Sequence, residues 1–459
     1  MIMTMNMIII INIVLIGTMK KYKSVYFIGL ALYIIFYVQM SPSSSNSYDA
    51  SWIAAKENWG DSCKFTLVES IPENLTYPAG SPMLMSTYDA HLRLLSLVQE
   101  SLYFSTFYWT LRGSDVEFHD NSSVQGENIY KLIYNIVKSG KVDVKIAQNN
   151  TNSDTDELAS IGAQVRTLDF VKIMNAGVLH TKMWIVDQKH VYIGSSNLDW
   201  RSYTQTKETG VLIENCPSLG LDVSKIFEVY WYLGNKNILP SQWPSNLSTA
   251  VNSQSPAVIT YNQTKNALIY ISSSPQPFCP FGRTVDIDAI INVINSAKKY
   301  IYISVMEYVP IILYKSPQIY WPVIDDALRR AAFDRNVEVF LMASHWAHSE
   351  KDMYSFLRSL RDLHGTKDRT VNIEVKLFTV KPNTPIQSHI PYARVNHNKY
   401  MITDQHAYIG TSNWAGDYFV STGGVGFVLE EAEEGGTLKG QLLQVFLRDW
   451  HSVYAANVF

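Results

Sequence analysis

Two stretches of the chain carry the same pattern of residue types that can act on a phosphate ester. They read HTKMWIVDQKHVYIGSSN at 180–197 and HNKYMITDQHAYIGTSN at 397–413. Both have the spacing His-x-Lys-x4-Asp and end with Gly-x-x-Asn. The shared residues are His180, Lys182, Asp187, Gly194 and Asn197 in the first stretch and His397, Lys399, Asp404, Gly410 and Asn413 in the second. A lone His-x-Lys pair is common on surface strands, whereas two matched copies indicate a site.

An extended strand would turn His180 and Lys182 to the same side, because alternate side chains share a face. Two such strands placed together would surround one small volume with two imidazoles, two ammonium groups and two carboxamides. The lysines would neutralise phosphate oxygens, and polar side chains of the turns would donate hydrogen bonds to them. We assign this substrate-binding role to Asn197, Ser195, Asn413 and Thr411.

One imidazole of such a pair can attack phosphorus while the other protonates the departing oxygen. Lysine is not an ordinary metal ligand, and no third His or carboxylate lies at metal-binding spacing. The sequence therefore predicts a phosphodiesterase that forms a phosphohistidine and uses no metal or other cofactor. His345 and His348 have a spacing more typical of packing than of a metal site. Four aromatic residues follow the two turns and could stack on bases or pack in the core: Trp200, Trp414, Tyr418 and Phe419.

The elements around the two motifs repeat in one order. Helical spacing at 90–102 and 286–300 runs into strand patterns at 103–109 and 301–308. Further strand patterns lie at 142–148, 163–170, 337–344 and 373–380, and each half closes on a helix that carries Phe227 and Trp231 or Phe446 and Trp450. Alternating strands and helices predict an α/β fold, and the repetition predicts two pseudo-twofold-related lobes, each a mixed β-sheet flanked by helices.

The N-terminal region carries a membrane signal. Residues 24–40 are uncharged and follow Lys20, Lys21 and Lys23, and their length is at the short end of the bilayer-spanning range. Lysines before the span favour a cytoplasmic N-terminus at 1–23 and a lumenal remainder. We expect a retained signal anchor; a cleaved signal peptide, with translation from Met19, and a buried helix are the alternatives. A linker at 41–58 would lead to a first lobe at 59–255 and a second at 256–459.

Composition and modification motifs agree with that placement. The 459 residues are 17% charged with a net charge of −3, so a bound polyanion must be held by a local cluster rather than by the overall field. All five glycosylation sequons follow the span: Asn74, Asn121, Asn149, Asn246 and Asn262. Of the three cysteines, we expect Cys63 and Cys216 to pair in an oxidising compartment, with three free thiols as the alternative.

The two motifs resemble the paired HxKxxxxD signatures of the phospholipase D superfamily. Outside them, LVESIPENL, LDWRSYTQTKETGVLIENC, YWPVIDDALRRAAF and IPYARVNHNKYMITD resemble its animal lysosomal branch, phospholipases D three and four. The resemblance runs from about Trp59 to Tyr454. It implies a type II membrane protein of the endoplasmic reticulum and endolysosome, with a soluble form after cleavage, that degrades single-stranded DNA or RNA from the 5′ end. A phospholipid substrate, an inactive membrane glycoprotein and a homodimer stay open.

The resemblance also implies roles for single residues. In related nucleases with one motif, an acidic residue 28 positions after the histidine orients its ring, and here that residue is Glu208. The matching place after His397 falls in GGVG and has no acid. We therefore predict that Glu208 holds His180, which makes His180 the nucleophile and His397 the general acid; the alternative is that Glu208 only pairs on a strand edge. Asp187 and Asp404 are expected to brace turns behind the motif strands.

Overall fold

The computed structural model describes residues 58–118, 120–431 and 436–457, with side chains from residue 63 onward. The predicted span at 24–40 and most of the predicted linker lie outside the described residues. Within the described ranges, no helix has the length and apolar character needed to cross a bilayer.

The main strands before residue 250 are β1 Asn58–Ser70, β2 Ser101–Thr106, β3 Asp143–Gln148, β4 Gln164–Thr167, β5 Lys182–Val186, β6 His190–Gly194 and β7 Glu208–Glu214. Those after it are β8 Ala257–Tyr261, β9 Lys265–Ser274, β10 Tyr300–Val305, β11 Glu338–Ser344, β12 Ile373–Phe378, β13 Lys399–Thr403, β14 His406–Gly410, β15 Gly424–Glu430 and β16 Ala455–Asn457.

The longer helices are α1 Thr87–Leu97, α2 Val124–Lys138, α3 Ser153–Ser160, α4 Pro217–Lys236, α5 Asp286–Ser296, α6 Val323–Arg335, α7 Lys351–Arg361 and α8 Leu438–Trp450. Short helices lie at Phe170–Met174, Arg201–Thr204, Thr366–Arg369, Pro385–His389 and Asp417–Val420. Two-residue strands lie at Met85–Ser86, Trp109–Thr110, Leu198–Asp199, Thr284–Val285, Tyr308–Val309, Ile311–Ile312, Ile319–Tyr320 and Trp414–Ala415.

The α/β class is confirmed, and the strands of the two halves pair in the same order. In the first half the order is β4-β3-β2-β5-β6-β7-β1. In the second half it is β12-β11-β10-β13-β14-β15-β9. In each run three parallel strands come first and the later pairs are antiparallel. Strand β8 joins the runs, because it pairs in parallel with β1 and antiparallel with β9. The predicted helix-to-strand order is confirmed at both places, with each helix ending several residues earlier than predicted.

Helices cover both faces of the strands that carry the motifs. Along β5, Trp184 and Val186 pack in one apolar cluster with residues of α1 and α2. The alternate residues Met183 and Ile185 pack in the other cluster, which contains α4. Because successive side chains of a strand point to opposite faces, this is a sheet buried on both sides. The motif strands are therefore fixed in register by apolar packing along their whole length.

A disulfide bond ties the start of the described chain to this core. Cys63 on β1 is bonded to Cys216, the residue before α4, and the bridge closes a loop of 153 residues. The predicted pairing is confirmed. Cys279 is free and sits within 3.3 Å of the Ser273 hydroxyl.

Candidate active site

Both motifs begin at the same edge of their strands. Lys182 opens β5 opposite Thr106, the last residue of β2. Lys399 opens β13 opposite Val305, the last residue of β10. Since β2 and β10 are the equivalent parallel strands of the two runs, the two His-x-Lys pairs occupy equivalent places at the carboxyl ends of parallel strands.

Backbone hydrogen bonds bring the two motifs together in a symmetric way. The His180 amide donates to the Gly423 carbonyl at 2.8 Å, and the His397 amide donates to the Lys207 carbonyl at 2.8 Å. Gly423 and Lys207 each immediately precede a strand of the opposite half, β15 and β7. Each catalytic histidine is thus held by the half of the chain that carries the other one. The two motifs therefore contribute to a single site, as the sequence predicts.

Each lysine ammonium is hydrogen-bonded to the backbone of the histidine in its own motif. The Lys182 ammonium donates to the His180 carbonyl at 2.8 Å, and the Lys399 ammonium donates to the His397 carbonyl at 2.7 Å. Burial and mutual repulsion lower the pKa of Lys182 well below its ordinary value, and burial lowers the pKa of Lys399 to about 7. A phosphate anion placed beside them would favour the charged ammonium forms. The pair therefore forms an anion site whose charge depends on its ligand.

The His180 ring is held as a neutral imidazole. Its Nδ1 lies 2.9 Å from the carbonyl oxygen of Thr411, which can only accept a hydrogen bond, so Nδ1 carries the proton and Nε2 has the lone pair. Burial lowers the pKa of His180 well below its ordinary value, and Lys182, Lys399 and the second histidine add to that effect. A neutral ring with a fixed tautomer is the form that can attack phosphorus.

Glu208 holds the other histidine, so the predicted Glu208–His180 pair is wrong, and the ground on which His180 was predicted to be the nucleophile is lost with it. The two carboxylate oxygens lie 2.9 and 3.0 Å from His397 Nδ1. The reason is a contact between the halves: Lys207, which immediately precedes β7, pairs with Asn396, which immediately precedes His397. This contact brings Glu208 to His397 rather than to His180. Burial acts to raise the pKa of Glu208, but His397 and Lys399 outweigh it and leave that pKa below its ordinary value. Burial lowers the pKa of His397, and Glu208 opposes this.

The structure also shows why the second half lacks an equivalent carboxylate. Gly424 opens β15 as Glu208 opens β7. A Cβ atom at Gly424 would lie 2.2 Å from the Ser412 hydroxyl and 2.7 Å from the Ser274 hydroxyl, so no side chain fits there without movement. The sequence analysis noted the missing acid at this place, and the structure gives its steric reason.

Ser195 and Thr411 make contacts that position the histidines, and the substrate-binding role predicted for them stays a prediction. The Ser195 hydroxyl donates to Glu208 at 2.5 Å and accepts from the Thr209 amide. Thr411 accepts from His180 through its carbonyl and from the Val425 amide through its hydroxyl. Both residues are fully buried. Their hydroxyls form hydrogen bonds within the protein because the two turns pack against β7 and β15.

Asn197 and Asn413 are placed as a substrate-binding pair would be. The Asn197 amide nitrogen donates to the Tyr108 hydroxyl at 3.2 Å, and that of Asn413 donates to the Tyr418 hydroxyl at 3.0 Å. Each amide nitrogen has two N–H donors, so one donor of each is not used by these contacts. Both side-chain oxygens are buried without a hydrogen-bond partner among the described residues. Their substrate role remains a prediction.

Asp187 and Asp404 lie behind the site, as predicted. Asp187 accepts from the amides of Gln99, Glu100 and Ser101 at the entry to β2. Asp404 accepts from the amides of Lys298 and Lys299 at the entry to β10. The third element of each motif therefore fixes the strand next to the motif strand, and the bracing role is confirmed.

Aromatic rings line one side of the His180 ring. The rings of Phe107 and Tyr418 lie 5.1 and 5.0 Å from it, centroid to centroid. Trp200, Trp414 and Phe419 are buried in the core instead. Sequence reasoning missed Phe107 and Tyr108, although they follow β2 at the edge where the motif begins. Residues at the carboxyl ends of parallel strands are where such a signal could have been sought.

The predicted glycosylation sites differ in exposure and contacts. Asn74, Asn121 and Asn246 are exposed. The side-chain oxygen of Asn149 accepts from the Leu179 amide at 2.8 Å, and the Asn262 amide group bonds the Phe65 backbone. Their glycosylation remains a prediction. Within the described ranges, no group of three or more His, Cys, Asp or Glu side chains is arranged to hold a metal ion.

Comparison with known proteins identifies the family. Residues 79–383 match the model described as "PLD3/4, PLD-like domain", a range that holds the first motif and ends before the second. The 5′-3′ exonuclease PLD3 of Xenopus tropicalis is 48% identical over 404 residues, covering 86% of this chain and 81% of the relative. The chain belongs to the PLD3/4 family. The predicted superfamily and branch are confirmed, and with them a phosphodiesterase-type hydrolase.

Two further comparisons agree in coverage. The 5′-3′ exonuclease PLD4 of Mus musculus is 41% identical over 424 residues, covering 89% of this chain and 83% of the relative. Among solved structures, phosphatidylserine synthase of Haemophilus influenzae superposes with a TM-score of 0.55 at 11% identity, covering 86% of this chain and 87% of that one. At that identity the second match shows a shared fold alone.

Proposed function

We propose that this protein is a metal-independent phosphodiesterase that removes nucleotides from the 5′ end of single-stranded DNA or RNA through a phosphohistidine. The observation that carries the proposal is the single buried site in which two histidines and two lysines from both halves of the chain meet. The direction and the substrate class are supported by the PLD3 and PLD4 relatives, which are named 5′-3′ exonucleases.

The Thr411 contact supports giving the first step to His180. Its Nε2 lone pair attacks phosphorus, and the bond between phosphorus and the leaving oxygen breaks. The ring that results is cationic, and its Nδ1–H remains directed at the Thr411 carbonyl at 2.9 Å. The ammonium groups of Lys182 and Lys399 offset the charge on the phosphoryl oxygens.

His397 is suited to protonate the leaving oxygen. A general acid must hold a proton until the bond breaks, and the Glu208 carboxylate stabilises the imidazolium form of His397. Once the proton is transferred, the neutral His397 ring can take a proton from water. That water attacks the phosphohistidine, the bond from phosphorus to His180 breaks, and both histidines return to their first states. The charges balance in both steps without a metal ion.

The test uses purified protein with a 5′-labelled and a 3′-labelled single-stranded oligonucleotide, a duplex of the same sequence, and phosphatidylcholine vesicles. We expect stepwise shortening from the 5′ end of the single strand. His180→Ala should abolish it, and Glu214→Gln, a change at an ion pair with Lys64 and Arg93 on the same strand as Glu208, serves as the control. Release from phosphatidylcholine alone would make the protein a lipid phosphodiesterase. No turnover of any substrate would make it an inactive glycoprotein.

We also propose the placement and architecture of the protein in the cell: a signal anchor at 24–40, an endolysosomal lumenal region from 41 onward, and two lobes at 59–255 and 256–459. The Cys63–Cys216 bond supports an oxidising compartment, and exposed Asn74, Asn121 and Asn246 support glycan attachment. The matched strand orders of the two runs support the lobes. Glycosidase treatment of protein from animal cells should increase its gel mobility, and unmodified cytosolic protein would contradict the placement. Light scattering of the purified protein would test the homodimer.

A further inference from the structure

An exposed stack of aromatic rings lies outside the site described above. The rings of Tyr392 and His348 are 4.7 Å apart at an interplanar angle of 23°. The Trp346 ring meets the edge of His348 at 4.8 Å and 69°. His348 is exposed, and Tyr392 is 64% exposed. A ring that is covered on one face and open elsewhere does little for the stability of the core, so its stacking calls for another explanation.

The stack lies at the same sheet edge as His397. Val305 pairs with Lys399 on one side and with Ala343 on the other, so these residues form one row across β13, β10 and β11. Trp346 and His348 follow within five residues of Ala343. The Ser344 hydroxyl also accepts from the Asn396 amide at 3.1 Å. Tyr392 precedes His397 by five residues, which an extended chain could separate by at most about 18 Å.

The Tyr392 loop is held rigidly. Tyr392 has φ of 52°, a left-handed conformation that an aromatic residue rarely adopts without support. The Arg201 guanidinium donates to the Pro391 carbonyl at 2.6 Å, while Ile390 and Ala393 are buried against Trp200. Contacts on both sides of Tyr392 thus hold the backbone while the ring itself stays exposed. A rigid, exposed ring binds a planar partner with little loss of conformational entropy.

The matching loop of the first half carries no aromatic residue. The loop that follows β3 at the matching place reads Asn149-Asn150-Thr151-Asn152, and Asn149 there supports the Leu179 amide. The fold therefore does not require aromatic residues at this edge. Because this exposed stack lies on the His397 side, it gives the site a direction.

We propose that the Tyr392 ring, backed by His348, stacks on a nucleobase of the single-stranded substrate within the first few nucleotides of the scissile phosphate. This inference rests on the proposed function and adds a base-binding subsite to it. Aromatic rings bind single strands by stacking on any base, which suits an enzyme that shortens strands of every sequence. An aromatic cluster can also hold an alkylammonium head group, and the test separates the two.

The experiment is a double-mutant cycle in which each protein variant is measured on each substrate variant. Wild-type protein, Tyr392→Leu and the ring-preserving Tyr392→Phe are compared on a single-stranded oligonucleotide and on a series in which one nucleotide at a time is abasic. Stacking on one base is worth roughly 5- to 150-fold in affinity. We expect Tyr392→Leu to raise KM by about that factor and Tyr392→Phe to behave as wild type. One abasic position should raise the wild-type KM equally and have no further effect in Tyr392→Leu.

Each outcome decides the proposal. Equal sensitivity of wild type and Tyr392→Leu to every abasic position would overturn the base-stacking subsite, although strand shortening by the wild type would leave the proposed function intact. A rise in KM for phosphatidylcholine in Tyr392→Leu, with no change for oligonucleotides, would assign the stack to an alkylammonium head group and would also overturn it. Circular dichroism and thermal unfolding of Tyr392→Leu exclude a folding defect as the cause.

Discussion

Replacing Glu208 by Gln tests the assignment of this carboxylate to His397. The amide oxygen of Gln can still accept from His397 Nδ1 at the place where the carboxylate oxygens lie, 2.9 and 3.0 Å away. The ring orientation is thereby retained and the negative charge is lost. A hydrogen bond to a charged group is worth about 1.5–3 kcal/mol. The neutral bond that Gln keeps is worth about half as much, so about 0.7–1.5 kcal/mol is lost. At about 1.4 kcal/mol per tenfold change, that is a loss of roughly 3- to 12-fold in the rate on an ordinary phosphodiester.

The pH dependence gives the sign of the effect. His397 must carry a proton to act as the general acid, and burial lowers its pKa while Glu208 opposes this. Without the carboxylate the pKa of His397 falls further, so the proton is lost at a lower pH. The alkaline limb of the pH–rate profile should therefore move to lower pH in Glu208→Gln. Its acidic limb should move less, because Glu208 is not among the groups that set the pKa of His180.

Changing the leaving group distinguishes the role of the general acid, His397, from that of the nucleophile, His180. A p-nitrophenyl phosphodiester needs no proton on its leaving oxygen, so Glu208→Gln should lose much less activity on it than on an oligonucleotide. Glu208→Ala, which also removes the orienting acceptor, should lose more than Glu208→Gln on the oligonucleotide, and Glu214→Gln should match the wild type. Equal losses on both substrates, with an unmoved alkaline limb, would refute the assignment of Glu208 to the general acid.

Three further results are expected. Because the cations of the site are Lys182 and Lys399, turnover should survive EDTA; activity lost in EDTA and restored by a divalent ion would contradict the mechanism. Lys399→Met should reduce the rate on both the oligonucleotide and the activated ester, since its charge acts on the phosphoryl oxygens and not on the leaving group; a loss confined to the oligonucleotide would contradict that role. Removing the Cys63–Cys216 bond by a double substitution to Ser should lower stability by about 2–5 kcal/mol, measured by denaturant unfolding, and an unchanged midpoint would show that the bond is dispensable.

Much of the fold could be predicted from the sequence because its signals are local. The alternation that turns Trp184 and Val186 away from Met183 and Ile185 is visible in the residues themselves, and it is the packing that the structure shows. The repetition of the motif likewise indicated one site built from two copies. Helix ends were less well predicted, since the helix before β2 ends at Leu97 and that before β10 at Ser296.

The partner of Glu208 could not be predicted, because it depends on contacts between distant segments. The sequence places Glu208 28 residues after His180 and 189 residues before His397, so proximity along the chain favours the wrong histidine. The bridge between Lys207 and Asn396 reverses that preference. Contact between the two halves likewise brings the Thr411 carbonyl to His180. Neither contact has a local signal in the sequence.

The position of the covalent adduct tests the central claim most directly. Protein mixed with substrate for a short time, stopped at alkaline pH and digested, can be searched by mass spectrometry for a phosphorylated histidine. The geometry predicts the adduct on the peptide that contains His180, formed in His397→Ala from an activated ester and absent in His180→Ala. An adduct on the His397 peptide, still formed in His180→Ala, would reverse the two roles and contradict the account.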